Sequence, residues 1–273
     1  MMKFLKNTRF DFVSRFKISN YISLAFIIMG IIFFLTKGPE LGIDFKGGTE
    51  LIVQLDSEFS NKNQVMNYLK QKDINYSNVK SYGHDKIRIL FDLDFNDKLV
   101  QSKLNVISYN KIGSTISSEL TYDAMKALFI AVILIGFFII IRFDWYSAIG
   151  GISALIHDIL IVISMLVFFS YEFNINIIAT FLIIMGYSLN DTIVVFDRIR
   201  ENIDEYSNMK LYEIINLSLN ETLARTLITS ITTLFVVISI YIFGGGSLKG
   251  LSFGLIIGIL SGTYSSIFVA TPV

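Results

Sequence analysis

Two charged residues in apolar segments have the chemistry to carry a proton. Asp191 lies within GYSLNDTIVVFDRIREN, residues 186–202, directly after the apolar run INIIATFLIIM. A lone aspartate near the middle of a membrane-spanning helix costs about 3 kcal/mol, so a partner is expected to face it. The basic residue at a matching depth is Arg225, where the next apolar segment begins. We therefore predict that Asp191 and Arg225 lie on facing helices.

This pair has two interpretations. Asn190 adds to the polar interruption around Asp191, and Thr229 follows Arg225 on one helical stripe, so the two helices are expected to meet along polar faces. In the first interpretation, a buried ion pair and hydroxyl groups hold the helices together. In the second, which we favour, a small helix displacement switches Asp191 between its charged and neutral forms, and the pair relays protons.

His157 and Asp158 form a second polar pair, midway through GGISALIHDILIVIS. A hydrogen bond to a neighbouring serine or backbone carbonyl and a part in the relay are equally good interpretations of this pair. The same choice between relay and polar packing applies to Asn190 and Thr229.

Residue usage excludes several kinds of site. The chain has no cysteine, which excludes disulfides, thiol catalysis and thiolate metal sites. Its two histidines are too few for an imidazole-rich metal site. The net charge of zero decides nothing about nucleic acid, but no basic stripe or RNA-binding signature is present, so nucleic acid is not expected as a partner. We expect no metal and no cofactor, with protons as the coupling ion.

The elements that position these residues are membrane-spanning helices, because 53% of the 273 residues are hydrophobic. A spanning helix needs about 20 apolar residues. Six segments meet this requirement, at about 18–36, 124–141, 145–171, 174–196, 225–243 and 250–270. We predict a polytopic α-helical membrane protein with six transmembrane helices.

The positions of lysine and arginine in the short loops predict the orientation. Basic residues are concentrated in the tail 1–17 and the loop 197–224, whereas the opposite loops between helices carry only Lys249. Both termini are therefore expected in the cytoplasm, with residues 37–123 outside and five helices in 124–273. The first span is interpreted as an uncleaved signal anchor, because no small-x-small cleavage site follows it.

The segment 37–123 has the pattern of a small α+β domain. LIVQL alternates as a strand does, SNKNQVMNYLKQK has helical spacing, and NVKSY and KIRILFD flank the turn GHD, which contains His84. NDKLVQSKLNVIS is predicted as a second helix and YNKIGSTIS as a last strand. This order is that of a ferredoxin-like fold between the first two spans.

Two further patterns predict helix packing. Gly250, Gly254, Gly258 and Gly262 recur every fourth residue, which lets a partner helix approach one face of the last span. MKLYEIINLSLNETL is predicted as a helix that lies at the cytoplasmic membrane surface. Six spans also correspond to one half of a transporter that is built from two related six-span halves, so a homologous six-span partner is expected.

Several motifs closely resemble the SecF family of bacterial protein-export membrane proteins. They are LGIDFKGGTELIVQL after the first span, SALIHDILI in the third, GYSLNDTIVVFDRIREN in the fourth, NETLARTLITSITTL into the fifth and LIIGILSGTYSSIFVATP in the sixth. The resemblance covers nearly the whole chain. This chain departs from the family at Ser114, where a proline is usual.

The resemblance implies a subunit that uses the proton-motive force to promote late steps of polypeptide translocation across the bacterial cytoplasmic (inner) membrane, and that is not an enzyme. The implied partners are SecD, the SecY, SecE and SecG channel, other membrane accessory subunits and the translocating unfolded polypeptide. The family's proton-linked Asp and Arg fall on Asp191 and Arg225. The alternative is a half-size proton-coupled exporter of small molecules or lipids, for which 87 residues outside are few.

Overall fold

The structure, a computed structural model, describes residues 10–56, 59–83, 85–92 and 104–273 of the chain. The elements follow in this order: α1 (Phe16–Lys37), β1 (Glu40–Leu41), α2 (Ile43–Lys46), β2 (Gly48–Gln54), α3 (Lys62–Gln71), β3 (Asn78–Ser81), β4 (Lys86–Phe91), β5 (Asn105–Ile112), α4 (Ser114–Arg142), α5 (Trp145–Phe168), β6 (Glu172–Phe173), α6 (Ile175–Glu205), α7 (Leu211–Phe243) and α8 (Gly246–Ser265). A π-helical turn, Ser266–Ala270, continues α8.

Six of these helices, α1 and α4 to α8, are long and apolar enough to cross a membrane. This finding confirms the predicted six spans. The helix α8 lies at the centre of the bundle and packs on α5, α6 and α7, while α1 packs on α5. We call the side of the bundle that carries the α+β domain the domain side, and the other the opposite side.

Three helix boundaries differ from the prediction. The helix α4 begins at Ser114, not near 124, and Ser114 itself is the first helical residue. The segment 197–224 is not a loop with a separate surface helix, because α6 continues to Glu205 and α7 already begins at Leu211. The apolar face of this early part of α7 is partly covered by protein: Ile214 and Leu219 are buried, Leu219 in a cluster with Phe12 and Val195, whereas Leu211 is exposed. The polar residues of 197–224 suggested a loop, although the helical period continues through them.

The α+β domain contains a four-stranded antiparallel sheet in the order β3-β4-β2-β5. Leu51, Val53, Ile87 and Ile89 point to one face of this sheet and pack against Val65 and Leu69 of α3. Asn61 is the N-cap of α3, since its side chain accepts a hydrogen bond from the Gln64 amide at 3.0 Å.

The structure describes only part of the second half of this domain. Most of the second predicted helix, residues 96–108, lies outside the described residues, and so does His84. Residues 105–108 belong to β5 rather than to a helix, and the predicted last strand, 109–117, ends at Ile112. Ile107 and Tyr109 are exposed on β5 while Ser108 between them is half-buried, so the strand lacks the apolar-in, polar-out alternation that a sequence can reveal.

A compact joint connects this domain to α1. The strand β1 pairs in parallel with β6, which lies between α5 and α6. Gly48 has a φ of 132°, and a Cβ at this position would stand 2.6 Å from the Phe91 carbonyl oxygen. Only glycine therefore allows β2 to start this close to β4.

The four glycines of α8 lie against α6. A Cβ added at Gly258 would stand 2.2 Å from Ile184 Cδ1, and one at Gly254 would stand 2.9 Å from Thr180 Cγ2. A Cβ at Gly262 would stand 3.0 Å from Ser188 Cβ, whereas one at Gly250 would make an ordinary contact of 3.5 Å with Ile177 Cδ1. The ladder brings α6 and α8 so close together that polar groups on the two helices can meet.

Candidate functional site

Asp191 is buried within the bundle, and no side chain or backbone group in the described part of the chain donates a hydrogen bond to its Oδ2. Its side chain is 2% exposed. It lies 16 residues after Ile175 on α6, which is about 24 Å along the helix axis. An ionised carboxylate in such surroundings lacks the hydrogen bonds that its charge requires, whereas the neutral acid needs fewer.

Arg225 lies at the depth predicted but does not touch Asp191. Two hydrogen bonds join α6 to α7, one before and one after Asp191 along α6. Tyr187 bonds Ser230 at 3.4 Å, and Arg198 bonds Glu221 at 2.7 Å. They place Asp191 about level with the residue that follows Arg225. The guanidinium acts on Asp191 through its charge, yet no N–O distance between them within the described structure is 4 Å or less. Arg225 is exposed on the surface of the bundle.

The threonine stripe of α7 does not bond across to α6. The Thr229 hydroxyl donates to the carbonyl oxygens of Arg225 at 3.2 Å and Thr226 at 2.9 Å on its own helix. Thr222 and Thr233 also donate to carbonyls of α7. Asn190 is exposed, like Arg225. The threonines therefore leave Asp191 unbonded, and we call the exposed side chains of Asn190 and Arg225 the polar strip of the six-helix unit.

Asp158 has the opposite environment, since it is 0% exposed and receives hydrogen bonds at both oxygens. Ser261 donates to Oδ1 at 2.6 Å, and Ser188 and Ser265 donate to Oδ2 at 2.7 and 2.8 Å. His157 Nδ1 lies 3.1 Å from Oδ1. Four donors suit an ionised carboxylate, which can only accept. The cluster joins α5 to α6 and α8.

The cluster continues to α1 through His157. Its Nε2 lies 3.1 Å from Ser23 Oγ, which is 3.0 Å from the Tyr264 hydroxyl. That hydroxyl donates to the Ser19 carbonyl at 2.7 Å. The two ring nitrogens of His157 therefore link the carboxyl group of Asp158 to hydroxyl groups on α1 and α8.

Sequence reasoning missed most of this cluster. It singled out His157 and Asp158, but not Ser261, Ser265 or Tyr264. A signal was present: Ser261 and Ser265 are four residues apart and flank Gly262, so they share one helix face beside the glycine ladder. Within the described ranges, no group of three or more His, Asp or Glu side chains could hold a metal ion.

The α+β domain is docked on the bundle by charged and aromatic contacts. Arg88 of β4 forms an ion pair with Glu50 of β2 at 2.6 Å and another with Glu172 of β6. All three side chains are at most 15% exposed. Tyr82 packs on Gly246, at the start of α8, where a Cβ would stand 2.6 Å from the ring.

Known protein families and relatives match this chain over nearly its whole length. The family described as protein export membrane protein SecD/SecF, C-terminal, matches residues 94–273, and the SecD/SecF GG motif matches residues 32–58. A protein translocase subunit SecF from Rhodothermus marinus is 39% identical, with 100% of this chain and 94% of that protein covered. One from Calditerrivibrio nitroreducens is 40% identical, with 99% and 95% covered. The chain belongs to the SecF family.

Solved SecDF structures share the fold. The crystal structure of SecDF, a translocon-associated membrane protein, from Thermus thermophilus has a TM-score of 0.90 and 30% identity. That match covers 100% of this chain but 39% of the solved chain. SecDF in its super-membrane-facing form has a TM-score of 0.71 over 99% of this chain. This SecF-family chain is a multi-pass inner-membrane protein of the protein-export machinery.

The two matched family regions contain the domain joint and the intramembrane polar residues. The GG motif contains Gly48 at the joint, and the C-terminal region contains the Asp158 cluster, Asp191 and Arg225. The end of GYSLNDTIVVFDRIREN ties α6 to its neighbours: Asp197 pairs with Arg142 of α4 at 2.8 Å, and Asn202 bonds Ser218 of α7 at 2.9 Å. In this SecF-family chain, the motif therefore combines one unbonded carboxylate with a clamped helix end.

We expect the docked α+β domain to be more stable at mildly acidic pH. Burial raises the pKa of Glu50 above its usual 4.5, Arg88 lowers it less, and nearby Glu172 and Asp44 raise it further. A raised folded-state pKa means that the folded protein binds this proton more tightly than the unfolded chain does. The free energy of unfolding therefore rises as the pH falls through the folded-state pKa, and this stabilisation is lost as the pH increases. Glu50→Gln should remove this slope, measured as the thermal unfolding midpoint between about pH 5 and 8.

A second variant, Arg88→Ala, removes the cation that lies between Glu50 and Glu172. It should destabilise the docked domain by about 2 kcal/mol, because two buried carboxyl groups lose their cationic partner. An unchanged pH slope in Glu50→Gln would show that Glu50 is not the titrating group.

Proposed function

We propose that this SecF-family subunit uses the proton-motive force to promote late steps of polypeptide translocation. Protons cross by way of Asp191 and Arg225, and helix motion moves the α+β domain. The proton is the coupling ion, no cofactor takes part, and the chain is not an enzyme. The observation that carries the proposal is the buried, donor-free carboxylate of Asp191 beside the fully bonded carboxylate of Asp158.

The two carboxylates favour different tasks. Asp158 already has four donors, so protonating it would break hydrogen bonds that join helices. Asp191 loses no such bond when it gains a proton. We propose that the arrangement described here is the protonated one, and that Asp191 pairs with Arg225 after it releases the proton. Each proton that crosses supplies about 2.3 kcal/mol per 100 mV.

The α+β domain is close enough to the bundle to follow such a change. Tyr82 contacts the first turn of α8, and the glycine ladder of α8 packs on α6, the helix of Asp191. Arg88 reaches the segment between α5 and α6 through Glu172. A shift between α6 and α8 would therefore be transmitted to two docking points of the domain.

We propose SecD as the partner that covers the polar strip. Arg225 and Asn190 are exposed on a bundle of six spans, and polar groups facing lipid are costly. The solved SecDF chain contains this fold within 39% of its length, which supports a second, larger part beside it. The SecY, SecE and SecG channel, other membrane accessory subunits and the unfolded polypeptide complete the proposed assembly.

The remaining proposals concern orientation and fold. We infer that both termini lie in the cytoplasm and that the α+β domain is extracytoplasmic. The strand order β3-β4-β2-β5, with α3 between β2 and β3, supports a ferredoxin-like domain.

A disulfide tests whether this domain must move. The chain has no cysteine, so Tyr82→Cys with Gly246→Cys gives a defined pair. A Cβ at Gly246 would stand 2.7 Å from Tyr82 Cγ, which puts the two Cβ atoms about 4 Å apart, within disulfide range. We expect oxidation to abolish gradient-stimulated export in reconstituted vesicles, and reduction to restore it.

The single-cysteine variants are the controls, and oxidation should leave their export unchanged. Full gradient-stimulated export by the oxidised double variant would exclude undocking as part of the mechanism. The alternative, a half-size exporter of small molecules or lipids, would instead show proton-coupled transport of such a substrate with export of proteins unaffected.

A further inference from the structure

An apolar groove lies between α1, α5 and α8, away from Asp191. It has a volume of about 510 Å³ and is lined by Phe26, Phe33, Met165, Phe168, Phe253 and Ile257, among others. Ser164 is the hydroxyl residue on its wall, and its Oγ donates to the Leu160 carbonyl at 2.6 Å. The lining therefore offers a ligand no free polar group.

The groove is open to the surroundings of the bundle. Phe26 and Phe168 are 42% and 48% exposed. Gly30 holds α1 against α5 inside the groove, because a Cβ there would stand 1.7 Å from Ser164 Oγ. From Phe26 to Phe33 the groove extends for about 10 Å along α1. A spanning helix of a partner is about 30 Å long, so the groove fits a flexible chain better than a helix.

A cation without an anionic partner stands at the domain-side end of the groove. Lys37 Nζ donates to the Phe168 carbonyl at 3.3 Å and to the Ser170 hydroxyl, and both acceptors are neutral. Within the described ranges no carboxylate lies within 4 Å of it. Lys80 also reaches Ser170, through its carbonyl, but Glu40 neutralises that second ammonium. One net positive charge therefore remains where the groove meets the membrane surface.

We propose that this groove binds an anionic phospholipid of the domain-side leaflet. One acyl chain lies along Phe26, Phe33 and Phe168, and the phosphate pairs with the ammonium of Lys37. Lys37 is one helical turn after Phe33, so headgroup and chain are placed in the order that a lipid in this leaflet requires. This site is separate from the proton pathway and would hold α1 against the bundle.

The proposal is tested with the full chain in detergent by native mass spectrometry. The probes are dioleoyl phosphatidylglycerol and dioleoyl phosphatidylcholine, which share their acyl chains, with inorganic phosphate as competitor. We expect the anionic lipid to bind about fivefold more tightly than the zwitterionic one, the contribution of one basic residue. Lys37→Ala should abolish this preference, and Met29→Trp, which fills the groove, should weaken both lipids.

Two control variants keep the test specific. Lys126→Ala removes a lysine of α4, and Phe137→Trp changes a residue of α4 that is 61% exposed. Neither should alter binding. Equal binding of the two lipids, equal losses in Lys37→Ala and Lys126→Ala, or displacement of the lipid by inorganic phosphate would overturn the proposal.

Discussion

Asp191→Asn should abolish the part of protein export that depends on a proton gradient and leave the gradient-independent part intact. Asparagine has nearly the same size and polarity as aspartic acid but cannot release a proton. Since Asp191 accepts no hydrogen bond through its Oδ2, the exchange removes no contact that holds α6 in place. The measurement is completion of export in vesicles that contain the full translocase, with and without the gradient.

The control is Asp197→Asn, six residues or about 9 Å further along the same helix. Asp197 lies at the end of the bundle and pairs with Arg142 at the surface, so its loss should cost less than about 1 kcal/mol and leave gradient stimulation unchanged. Immunoblots must show equal membrane levels of both variants. If Asp191→Asn retains gradient stimulation, the carboxylate is structural, which is the other interpretation of this residue.

Asp158→Asn should destabilise the bundle, unlike Asp191→Asn. An amide replaces one acceptor oxygen with a donor, so the hydroxyls on that side, such as those of Ser188 and Ser265, lose their acceptor. Hydrogen bonds between membrane helices contribute about 0.6 to 1.7 kcal/mol each. The loss of two such bonds should lower stability by about 1 to 3 kcal/mol. The thermal unfolding midpoint in detergent measures this.

A double-mutant cycle separates packing from proton transfer. Ser265→Ala should itself destabilise, and the double variant with Asp158→Asn should lose less than the sum of the two, because both remove the same bond. If Asp158→Asn is as stable as the wild type yet loses gradient-stimulated export, Asp158 belongs to the relay.

The sequence predicted the spans and the intramembrane charges because both depend on local composition. A run of about 20 apolar residues identifies a span wherever it packs, and Asp191 is conspicuous within such a run. The depth of Arg225 could be inferred by counting residues along two antiparallel helices. Its side-chain direction could not, because that depends on how the helices are rotated against each other.

The Asp158 cluster shows what the sequence left undetermined. Its donors come from α5, α6 and α8 and meet only because the glycines of α8 allow α6 to approach. The first residues of β5, 105–108, were assigned to a helix for a related reason. NDKLVQSKLNVIS has helical spacing, and its last residues become a strand by pairing with β2, a contact distant in sequence.

The most direct test of the central claim is an infrared difference spectrum of the purified full chain with its partner, recorded across a pH change. A protonated carboxyl group in an apolar site gives a C=O stretching band that a carboxylate lacks. We predict that this band is present in the wild type and in Asp197→Asn and is absent in Asp191→Asn. The same band in all three proteins would contradict the assignment of the transported proton to Asp191.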